Sequence, residues 1–457
     1  MVYLQRHMFR QYDIRGIVGP ELNEDSVMQL SKGFALYFRQ KNCSKVLIGQ
    51  DNRISSNPFA EIIASVFREA GISVVKLNTV TTPMFYFASR VMNIEGGVMI
   101  TASHNPKDYN GFKVLYGPST IYGDEIQAIY QLCEQEKTIS HEQKGFVESV
   151  DIKPQYQEYL WRSVTLGPKK LKIVLDCGNG TASLSSPSIL KHYPIKLNEL
   201  YCTSDPEFPN HFPDPTKTAN MKEAADWLVQ NKFDIALGLD GDGDRLGVAD
   251  DQGNMVWGDM LMVLFAREIL KKHPGETILV EVKCSQLLVN EIKKLGGNPI
   301  IYKTGHSLIK AKMREIDAIL AGEMSGHLFL KDEYFGFDDA TYAGLRLMRI
   351  LSNTNQSLSQ LLSDLPKVYS TPEIRVHIPE KKKIQKVIQA NLYLTSRFES
   401  LTIDGVRAVM YGGWGLVRAS NTGPELIIRA EGPSPEALKQ IQKELDIALK
   451  PLIIPWE

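Results

Sequence analysis

The sequence predicts an α/β protein with three similar mixed α/β domains and a smaller C-terminal α+β domain around a central cleft. A chain of 457 residues is too long for one hydrophobic core and favours three or four domains. Three segments, which begin at Lys45, Leu171 and Thr277, each combine a short apolar run with a polar loop. This pattern is typical of a buried strand that leads into a turn and a helix. The C-terminal segment instead alternates apolar and polar residues from Glu373 to Ile378 and then becomes helical.

Polar and proline-rich stretches place the domain boundaries. We predict domains at residues 1–150, 151–252, 253–365 and 366–457. A polar segment around Gly145 ends the first domain, and the stretch that contains Pro366 and Pro372 predicts the hinge to the last one. Residues 206–215 are rich in proline and predict a long loop inside the second domain, and helical periodicity at 382–390 and 435–449 completes the last domain.

The composition excludes several classes of protein. The formal net charge of −1 provides no overall field for nucleic acid or an anionic membrane. There is no apolar core of a signal peptide near the N-terminus and no run of the roughly 20 apolar residues that span a bilayer. The cysteines are scattered and lack a C-x-x-C pair, which argues against a disulfide framework or a zinc site and fits a reducing cytoplasm. They are Cys43, Cys133, Cys177, Cys202 and Cys284. We therefore predict a cytoplasmic protein that binds neither nucleic acid nor membrane.

The first loop with candidate chemistry surrounds Ser103. The apolar run 98–100 stops at the small polar residues of 101–106, which predicts a buried strand feeding a tight loop. Such loops lie at the carboxyl ends of strands, where ligands bind in open α/β sheets. We expect Ser103 to be exposed at the loop tip. On this loop alone, Ser103 or Asn105 as a simple turn or helix cap is the favoured interpretation.

A second loop carries Asp240, Asp242 and Asp244, alternating with glycines between two predicted strands. Glycine lets the backbone bend tightly so that three carboxylates converge, and a bound cation relieves their repulsion. Oxygen ligands favour Mg²⁺ or Ca²⁺ over zinc. An EF-hand does not fit, because Arg245 occupies the position that requires glycine, Asp251 replaces the final glutamate, and strands flank the loop.

A third loop, residues 322–327, places Glu323 and Ser325 between glycines. A carboxylate and a hydroxyl so spaced suit bidentate recognition of neighbouring sugar hydroxyls. A single histidine is most often structural. Two of them, His306 and His327, on loops beside a phosphate site favour a functional role, because histidine titrates near neutral pH.

A fourth loop begins at Arg418 and supplies a guanidinium, hydroxyls and an amide on a glycine turn. That combination is suited to a phosphate that does not react. The candidates are Arg418, Ser420, Asn421 and Thr422. Arg429 is a further candidate, with a purely structural role as the alternative.

These loops, in this order, resemble the α-D-phosphohexomutases, and more closely their bacterial phosphomannomutase/phosphoglucomutase branch. The match runs from the stretch 9–16 to Glu431-Gly432. The resemblance implies that Ser103 carries a phosphoryl group and that Mg²⁺ binds Asp240, Asp242 and Asp244, with an oxygen of the phosphorylated Ser103 as a further ligand. The implied catalytic residues are Ser103, Arg15, Lys113, His306 and His327. The implied substrate-binding residues are Tyr12, Arg245, Lys283, His306, Glu323, Met324, Ser325, His327, Arg418, Ser420, Asn421 and Thr422.

The implied activity is reversible phosphoryl transfer between C1 and C6 of hexose phosphates. It links mannose 1-phosphate with mannose 6-phosphate, and glucose 1-phosphate with glucose 6-phosphate, through a phosphoserine and a hexose 1,6-bisphosphate. Glucose 1,6-bisphosphate or mannose 1,6-bisphosphate is the expected activator. A site that reads O3 and O4 accepts both sugars, because these differ only at C2. We expect no partners other than sugar phosphates. A monomer is the expected oligomeric state, with a dimer as the alternative.

Three other functions remain open. A phosphoglucosamine mutase is the first, although members of the family that act on glucosamine phosphate more often carry glutamine where this chain has Met324. A serine-dependent phosphatase would share the serine and the metal, but it would not need the third loop (residues 322–327, the sugar loop) or the fourth loop that begins at Arg418 (the phosphate loop). A non-catalytic sugar-phosphate binding protein would need neither Ser103 nor the metal.

Overall fold

Four β-sheets, one after another along the chain, organise the fold. The structure is a computed structural model that describes residues 4–135, 139–421 and 423–456. Within these ranges the sheets have seven, five, four and six strands. One hydrophobic cluster runs through the first three domains and contains Leu47, Leu175 and Phe265, whereas the last domain has a cluster of its own around Leu426. The first three domains are therefore packed as one unit, to which the fourth is attached.

The first sheet has the strand order β1-β5-β4-β2-β3-β7, with β6 paired to β5. Its strands are β1 (Ile14–Ile17), β2 (Lys45–Gln50), β3 (Ser73–Thr79), β4 (Gly96–Ile100), β5 (Tyr109–Tyr116), β6 (Ser119–Thr120) and β7 (Val147–Ser149). Its helices are α1 (Glu24–Gln40), α2 (Ser56–Glu69), α3 (Thr82–Met92) and α4 (Asp124–Cys133). Strand β2 is parallel to both β3 and β4, so the loops after β2 and β4 emerge side by side. Val46 and Ile48 lie in one hydrophobic cluster and Leu47 in the other, because successive side chains of a strand point to opposite faces.

The second sheet has the order β12-β11-β10-β8-β9, in which β8, β9 and β10 are parallel. Its strands are β8 (Lys172–Asp176), β9 (Lys196–Leu200), β10 (Ile235–Leu239), β11 (Leu246–Ala249) and β12 (Met255–Val256). The helices are α5 (Lys153–Ser163), α6 (Ser186–Lys191) and α7 (Thr218–Asn231). The aspartate loop is the turn between β10 and β11, which are antiparallel. Strand β12 pairs with β11, so this sheet extends past the boundary predicted at residue 252.

The third sheet has the order β14-β13-β15-β16, in which β13, β14 and β15 are parallel. Its strands are β13 (Thr277–Glu281), β14 (Asn298–Tyr302), β15 (Leu320–Gly322) and β16 (Leu328–Leu330). The helices are α8 (Gly258–Lys272), α9 (Gln286–Lys294), α10 (His306–Glu315), α11 (Ala340–Ser352) and α12 (Leu358–Leu362). Strand β15 begins only at Leu320. Asp317, two residues after the end of α10, has a left-handed φ of 53° that a strand does not allow.

The fourth sheet is antiparallel throughout, with the order β17-β22-β21-β20-β19 and β18 paired to β22. Its strands are β17 (Tyr369–Ser370), β18 (Ile374–His377), β19 (Ser400–Leu401), β20 (Val406–Met410), β21 (Gly413–Ala419) and β22 (Glu425–Gly432). The helices α13 (Glu380–Thr395) and α14 (Pro435–Leu449) contact each other and the sheet. This α+β domain and the three α/β domains confirm the predicted fold class. In the described part of the chain, no helix has an apolar stretch long enough to cross a bilayer.

Candidate active site

The four loops singled out in the sequence line one cleft of about 810 Å³. Ser103 comes from the first domain, Arg245 from the second, Glu323 from the third and Arg418 from the fourth. Each of the first three follows a strand of a largely parallel sheet, at the end where such sheets bind ligands. The structure therefore brings together residues that are up to about 300 positions apart in the sequence.

Ser103 lies at the base of this cleft. Its side-chain Oγ donates a hydrogen bond to Asp240 Oδ2 at 2.7 Å and lies 3.0 Å from His104 Nδ1. The residue has a φ of 51°, a left-handed conformation that is costly for serine and is retained only where the surroundings enforce it. Only 2% of its surface is exposed, so the expectation of an exposed loop tip is wrong. The reason is the aspartate loop, which packs so closely that a Cβ on Gly241 would lie 2.3 Å from the Ser103 carbonyl oxygen.

Arg53 holds the serine loop in place. Its guanidinium donates to the carbonyl oxygens of Ser103 at 2.9 Å, Asn105 at 2.7 Å and Pro106 at 2.6 Å. Asp51 pairs with it from the same loop, at 3.1 Å, and the arginine is 4% exposed. The sequence analysis missed this residue. The available signal was its position after β2, next to β4 in the parallel sheet.

The three aspartates lie as close together as predicted. Their carboxylate oxygens lie within 4.8 Å of one another, and all three residues are fully buried. Lys113 Nζ donates to Asp242 Oδ2 at 2.7 Å and to Asp244 Oδ2 at 2.5 Å. Burial and the two neighbouring carboxylates raise the pKa of Asp240 well above its ordinary value. Burial alone would lower the pKa of Lys113, but Asp242 and Asp244 outweigh it and hold that pKa well above its ordinary value.

The aspartate group fits a hard cation. Asp242 Oδ1 and Asp244 Oδ1 are buried and accept no hydrogen bond from the described residues, so each has an oxygen available for a ligand. An all-oxygen donor set of this kind suits Mg²⁺ or Ca²⁺. A second cluster of possible ligands, Asp244 with His327 and Asp338, shares one member with the first. The second cluster includes a histidine nitrogen, whereas the three aspartates offer only oxygens, so the three-aspartate group is the better site for a hard cation.

The two histidines are adjacent and share a carboxylate that the sequence analysis missed. His327 lies on a loop as expected, whereas His306 is the first residue of α10 rather than a loop residue. Their rings stack with centroids 5.4 Å apart. His327 Nδ1 lies 2.9 Å from Asp338 Oδ2, and His327 Nε2 accepts a hydrogen bond from Arg245 Nε at 2.9 Å. Because Arg245 can only donate, Nε2 must be the unprotonated nitrogen in this arrangement. Burial and nearby Lys310 lower the pKa of His306 well below its ordinary value, so His306 is neutral.

Arg15 and Tyr12 complete the floor of the cleft. Arg15 pairs with Asp13 at 2.7 Å and donates to Asn105 Oδ1 at 2.8 Å, so it is attached to the serine loop. The ring of Tyr12 packs edge-on against His306, with centroids 5.1 Å apart. Arg15 is therefore beside Ser103, whereas Tyr12 lies on the histidine side.

The sugar loop is held by hydrogen bonds on both sides of Met324. Glu323 accepts a hydrogen bond from the Gly305 amide at 2.9 Å and another from Ser325 Oγ at 3.0 Å. The Met324 amide donates to Glu281 at 3.0 Å. Glu281 was not identified from the sequence, because it lies inside strand β13 and carries no motif. The Glu323 carboxylate and the Ser325 hydroxyl both line the cleft, with Met324 between them.

The end of the cleft around Arg418 presents cations that are already paired with carboxylates. Arg418 Nε donates to Asp404 at 2.9 Å, whereas its buried Nη2 has no partner in the described part of the chain. Lys283 donates to Glu373 at 2.8 Å and lies 3.1 Å from Glu281. Ser420, Asn421, Arg375 and Arg429 also line this end of the cleft. The predicted ligand Thr422 lies outside the described residues.

Family comparisons agree with this geometry. Models described as phosphoglucomutase/phosphomannomutase alpha/beta/alpha domains I, II and III and C-terminal domain match residues 6–140, 154–253, 257–369 and 373–448. The chain belongs to the phosphoglucomutase/phosphomannomutase family. The α-D-phosphohexomutase family predicted from the four loops is thereby confirmed, and each loop falls within a different domain of the family.

Individual members of the family match nearly the whole chain. A phosphoglucomutase of Neisseria meningitidis serogroup A is 38% identical, over 98% of each chain. A phosphomannomutase/phosphoglucomutase of Pseudomonas putida is 40% identical, over 95% of this chain and 94% of the relative. The crystal structure of a phosphoglucomutase/phosphomannomutase family protein from Burkholderia thailandensis is 36% identical with a TM-score of 0.92, and the match covers 99% of this chain and 100% of that one.

Proposed function

We propose that the protein interconverts the 1-phosphates and 6-phosphates of mannose and glucose. The observation that carries this proposal is the position of Ser103 Oγ, 2.7 Å from Asp240 at the base of a cleft that also holds Arg418. The cleft thus combines a reactive hydroxyl beside a metal-binding group with a separate group of phosphate-binding residues at its other end. This arrangement suits a sugar that carries phosphate at one end or at both. The names of the relatives, which include phosphoglucomutases and phosphomannomutase/phosphoglucomutases, support the same reaction.

In the proposed mechanism Ser103 begins the cycle as a phosphoserine. Its phosphoryl group moves to the free O6 or O1 of a hexose phosphate, which gives a bound hexose 1,6-bisphosphate. The bisphosphate then reorients in the cleft while its O3 and O4 hydroxyls remain bound to Glu323 and Ser325. Its other phosphoryl group is transferred to Ser103. Glucose 1,6-bisphosphate or mannose 1,6-bisphosphate is the proposed activator, because it restores the phosphoserine whenever the intermediate escapes.

The residues around Ser103 divide the chemical work. Asp240, Asp242 and Asp244, with an oxygen of the phosphorylated serine, would hold Mg²⁺. When bound, Mg²⁺ would offset negative charge on the transferring phosphoryl group. Lys113 remains charged beside two of these carboxylates and adds positive charge at the same place.

Four side chains are candidates for moving the proton of the attacking sugar hydroxyl. They are Arg15, Lys113, His306 and His327. The neutral state of His306 suits acceptance of a proton from the attacking hydroxyl. The charged state of Lys113 instead suits donation of a proton to the oxygen that loses the phosphoryl group. Arg245 and Tyr12 line the cleft beside the histidines, where they suit contacts with the substrate.

The distal phosphate is proposed to bind at the far end of the cleft. Lys283, Arg418, Ser420, Asn421 and Thr422 are its proposed ligands. Arg418 has the strongest support, because its Nη2 is buried and has no partner among the described residues. A guanidinium in this state is ready to donate to a phosphate oxygen.

Phosphorus NMR tests the reaction. The enzyme with Mg²⁺ and a trace of glucose 1,6-bisphosphate receives mannose 1-phosphate in one experiment and glucose 1-phosphate in another. We expect both to become 6-phosphates, and we expect Ser103→Ala and Asp242→Ala to abolish conversion. Asp251→Ala is the matched control, because Asp251 pairs with Ser359 outside the cleft and should leave the rate unchanged.

The other outcomes identify the alternatives. Release of inorganic phosphate would indicate a serine-dependent phosphatase. Conversion of glucosamine 6-phosphate in the absence of activity on both hexoses would indicate a phosphoglucosamine mutase. No turnover of any of these sugars, with binding retained in Ser103→Ala, would indicate a binding protein. The same samples, examined by size-exclusion chromatography, test the prediction of a monomer against a dimer.

A further inference from the structure

Two cysteines that are 25 positions apart lie in contact at the edge of the second domain. Strands β8 and β9 are parallel neighbours, with Asp176 opposite Leu200, and Cys177 and Cys202 follow these strands. The Cys202 thiol donates to Cys177 Sγ at 2.9 Å, and both cysteines are free. The sequence showed only scattered cysteines, because their pairing depends on the register of two strands.

The backbone positions of this pair suit a disulfide. Neighbouring strands are about 4.8 Å apart. Disulfides join residues whose Cα atoms are about 4.4–6.8 Å apart. Cys177 is the first residue after β8 and Cys202 the second after β9, and their sulfur atoms already lie 2.9 Å apart, so the roughly 2.05 Å of an S–S bond requires a shift of less than about 1 Å.

The two thiols differ in access to solvent. Cys177 is fully buried, whereas Cys202 is partly exposed. Burial and the adjacent Cys202 raise the pKa of Cys177 well above its ordinary value. Cys202 is therefore the thiol that a dissolved oxidant reaches first, and Cys177 is placed to react second.

We propose that Cys177 and Cys202 form a reversible regulatory disulfide when the protein meets a peroxide. In the first step, Cys202 sulfur attacks a peroxide oxygen, the O–O bond breaks, and a sulfenic acid and water form when the oxidant is hydrogen peroxide. In the second step, Cys177 sulfur attacks Cys202 sulfur, the S–O bond breaks, and hydroxide leaves with the thiol proton as water. Overall, the two thiols lose two electrons and two protons to the peroxide.

The pair lies at the base of two segments that support the aspartate loop. After Cys177, the chain reaches Thr181, whose amide donates to the Gly241 carbonyl oxygen at 2.9 Å. After Cys202, the chain enters the proline-rich loop predicted at 206–215, in which the Pro213 carbonyl oxygen accepts from the Gly241 amide at 3.1 Å. Gly241 stands between two of the metal-binding aspartates.

The 206–215 loop also reaches the arginine that supports the serine loop. The ring of Phe208 lies 5.3 Å from the Arg53 guanidinium. A covalent link at the start of this loop therefore restrains both halves of the phosphoryl-transfer site. We expect oxidation to slow the mutase reaction and reduction to restore it, and this one readout rests on the proposed function.

The test treats the folded full-length protein with one equivalent of hydrogen peroxide. We expect loss of two of the five thiols, an intact mass lower by about 2 Da, and recovery of both by dithiothreitol. Peptide mapping without reductant should recover a peptide that joins Cys177 to Cys202. These readouts do not depend on activity, so they remain informative if the proposed reaction is wrong.

Two serine variants decide between this pair and general thiol oxidation. Cys202→Ser should keep its remaining thiols under the same dose. Cys43→Ser is the matched control, because Cys43 is equally half-buried but has no other thiol beside it among the described residues, and this variant should still form the link. Loss of thiols in Cys202→Ser equal to that in the parent protein, or a mass increase of one or more oxygens without a linked peptide, would overturn the proposal.

Discussion

The two ends of the cleft are built differently. At the end with Ser103, the reacting groups contact one another, since Ser103 touches Asp240 and Lys113 touches Asp242 and Asp244. At the other end, the cations that suit a phosphate are paired with carboxylates of the protein, Lys283 with Glu373 and Arg418 with Asp404. At the first end the cation pairs with the carboxylates that are proposed to hold the metal, whereas at the second end separate carboxylates of the protein pair with the cations that suit a phosphate.

The packing of the domains matches this difference. Ser103 and the aspartates belong to the three domains that share one hydrophobic cluster, whereas Arg418 belongs to the domain with its own cluster. Phosphoryl transfer depends on groups held in place in advance, so a fixed end is where the chemistry belongs. In the proposed reaction the sugar binds in two orientations, so contacts to its distal phosphate must be exchangeable, and the carboxylate-paired cations of the second end suit that requirement.

Removal of the central charge at the fixed end should have the largest effect. Lys113→Met leaves Asp242 and Asp244 buried without their cation, which costs about 3–5 kcal/mol of unfolding free energy. We also expect the rate of the mutase reaction to fall by about 10²-fold or more. Because the freed oxygens bind a cation more strongly, Mg²⁺ should raise the Tm of this variant by more than it raises that of the parent.

Thermal unfolding with and without Mg²⁺ measures this effect. Lys45→Met is the control, because Lys45 forms an exposed pair with Glu148 and should change neither quantity. Equal Tm gains from Mg²⁺ in Lys113→Met and the parent would show that the lysine and the metal do not share the same carboxylates.

Loss of a cation at the exchangeable end should affect binding more than chemistry. Arg418→Ala removes charged hydrogen bonds worth about 1.5–3 kcal/mol, so KM for glucose 1-phosphate should rise by about 10- to 100-fold with a much smaller change in kcat. Steady-state kinetics measures both constants. Arg397→Ala removes an arginine of the same domain that is half-exposed and lies outside the cleft, and it should leave KM unchanged. A fall in kcat as large as the rise in KM would place Arg418 in the reacting end.

The sequence predicted what depends on local pattern. The aspartate loop was identified because carboxylates alternate with glycines over five residues, and the fold class because strands and loops recur at domain spacing. The helix over Pro435–Leu449 agrees with its periodicity to the residue. Such features are set by neighbours along the chain, which a sequence displays directly.

The parts that the sequence did not reveal depend on contacts between distant segments. Arg53 reaches Ser103, which is 50 positions away, and Asp338 reaches His327 from beyond the opposite end of strand β16. The burial of Ser103 results from the approach of Gly241, a residue of another domain. Charged side chains such as Arg53 and Asp338 are not marked by a sequence motif, because any segment that folds against the site can supply them. The roles of the individual site residues therefore remain predictions that the experiments proposed here address.

Replacement of Glu373 tests whether a substrate phosphate displaces a carboxylate of the protein at the second end. Burial alone would raise the pKa of Glu373, but Lys283 and Arg375 outweigh it and hold that pKa below its ordinary value. Glu373 is thus charged and competes with a phosphate for Lys283. We expect Glu373→Gln to lower KM for glucose 1-phosphate by up to about fivefold, which corresponds to the roughly 1 kcal/mol of one hydrogen bond to Lys283 that the phosphate no longer has to displace.

Glu425→Gln provides the matched control for this variant. Glu425 pairs with Arg375 at 2.9 Å without contacting Lys283, so the substitution removes a nearby carboxylate but leaves Lys283 paired with Glu373. Its KM should stay close to that of the parent. An increase of KM in Glu373→Gln would mean that this carboxylate positions Lys283 for the substrate instead of competing with it.

The smallest expected effect concerns which sugars are accepted by the sugar loop at 322–327, which lines the same cleft as the two ends. Met324 stands between Glu323 and Ser325, and its thioether is a poor acceptor for an ammonium group at C2 of glucosamine. Met324→Gln supplies an amide oxygen at that position and should raise kcat/KM for glucosamine 1-phosphate by about threefold, the worth of one modest hydrogen bond. The value for glucose 1-phosphate should change little, and Met324→Leu, which keeps the size without an acceptor, should change neither. If Met324→Gln leaves the ratio of the two sugars unchanged, residue 324 does not contact C2, and discrimination between these sugars must come from another part of the cleft.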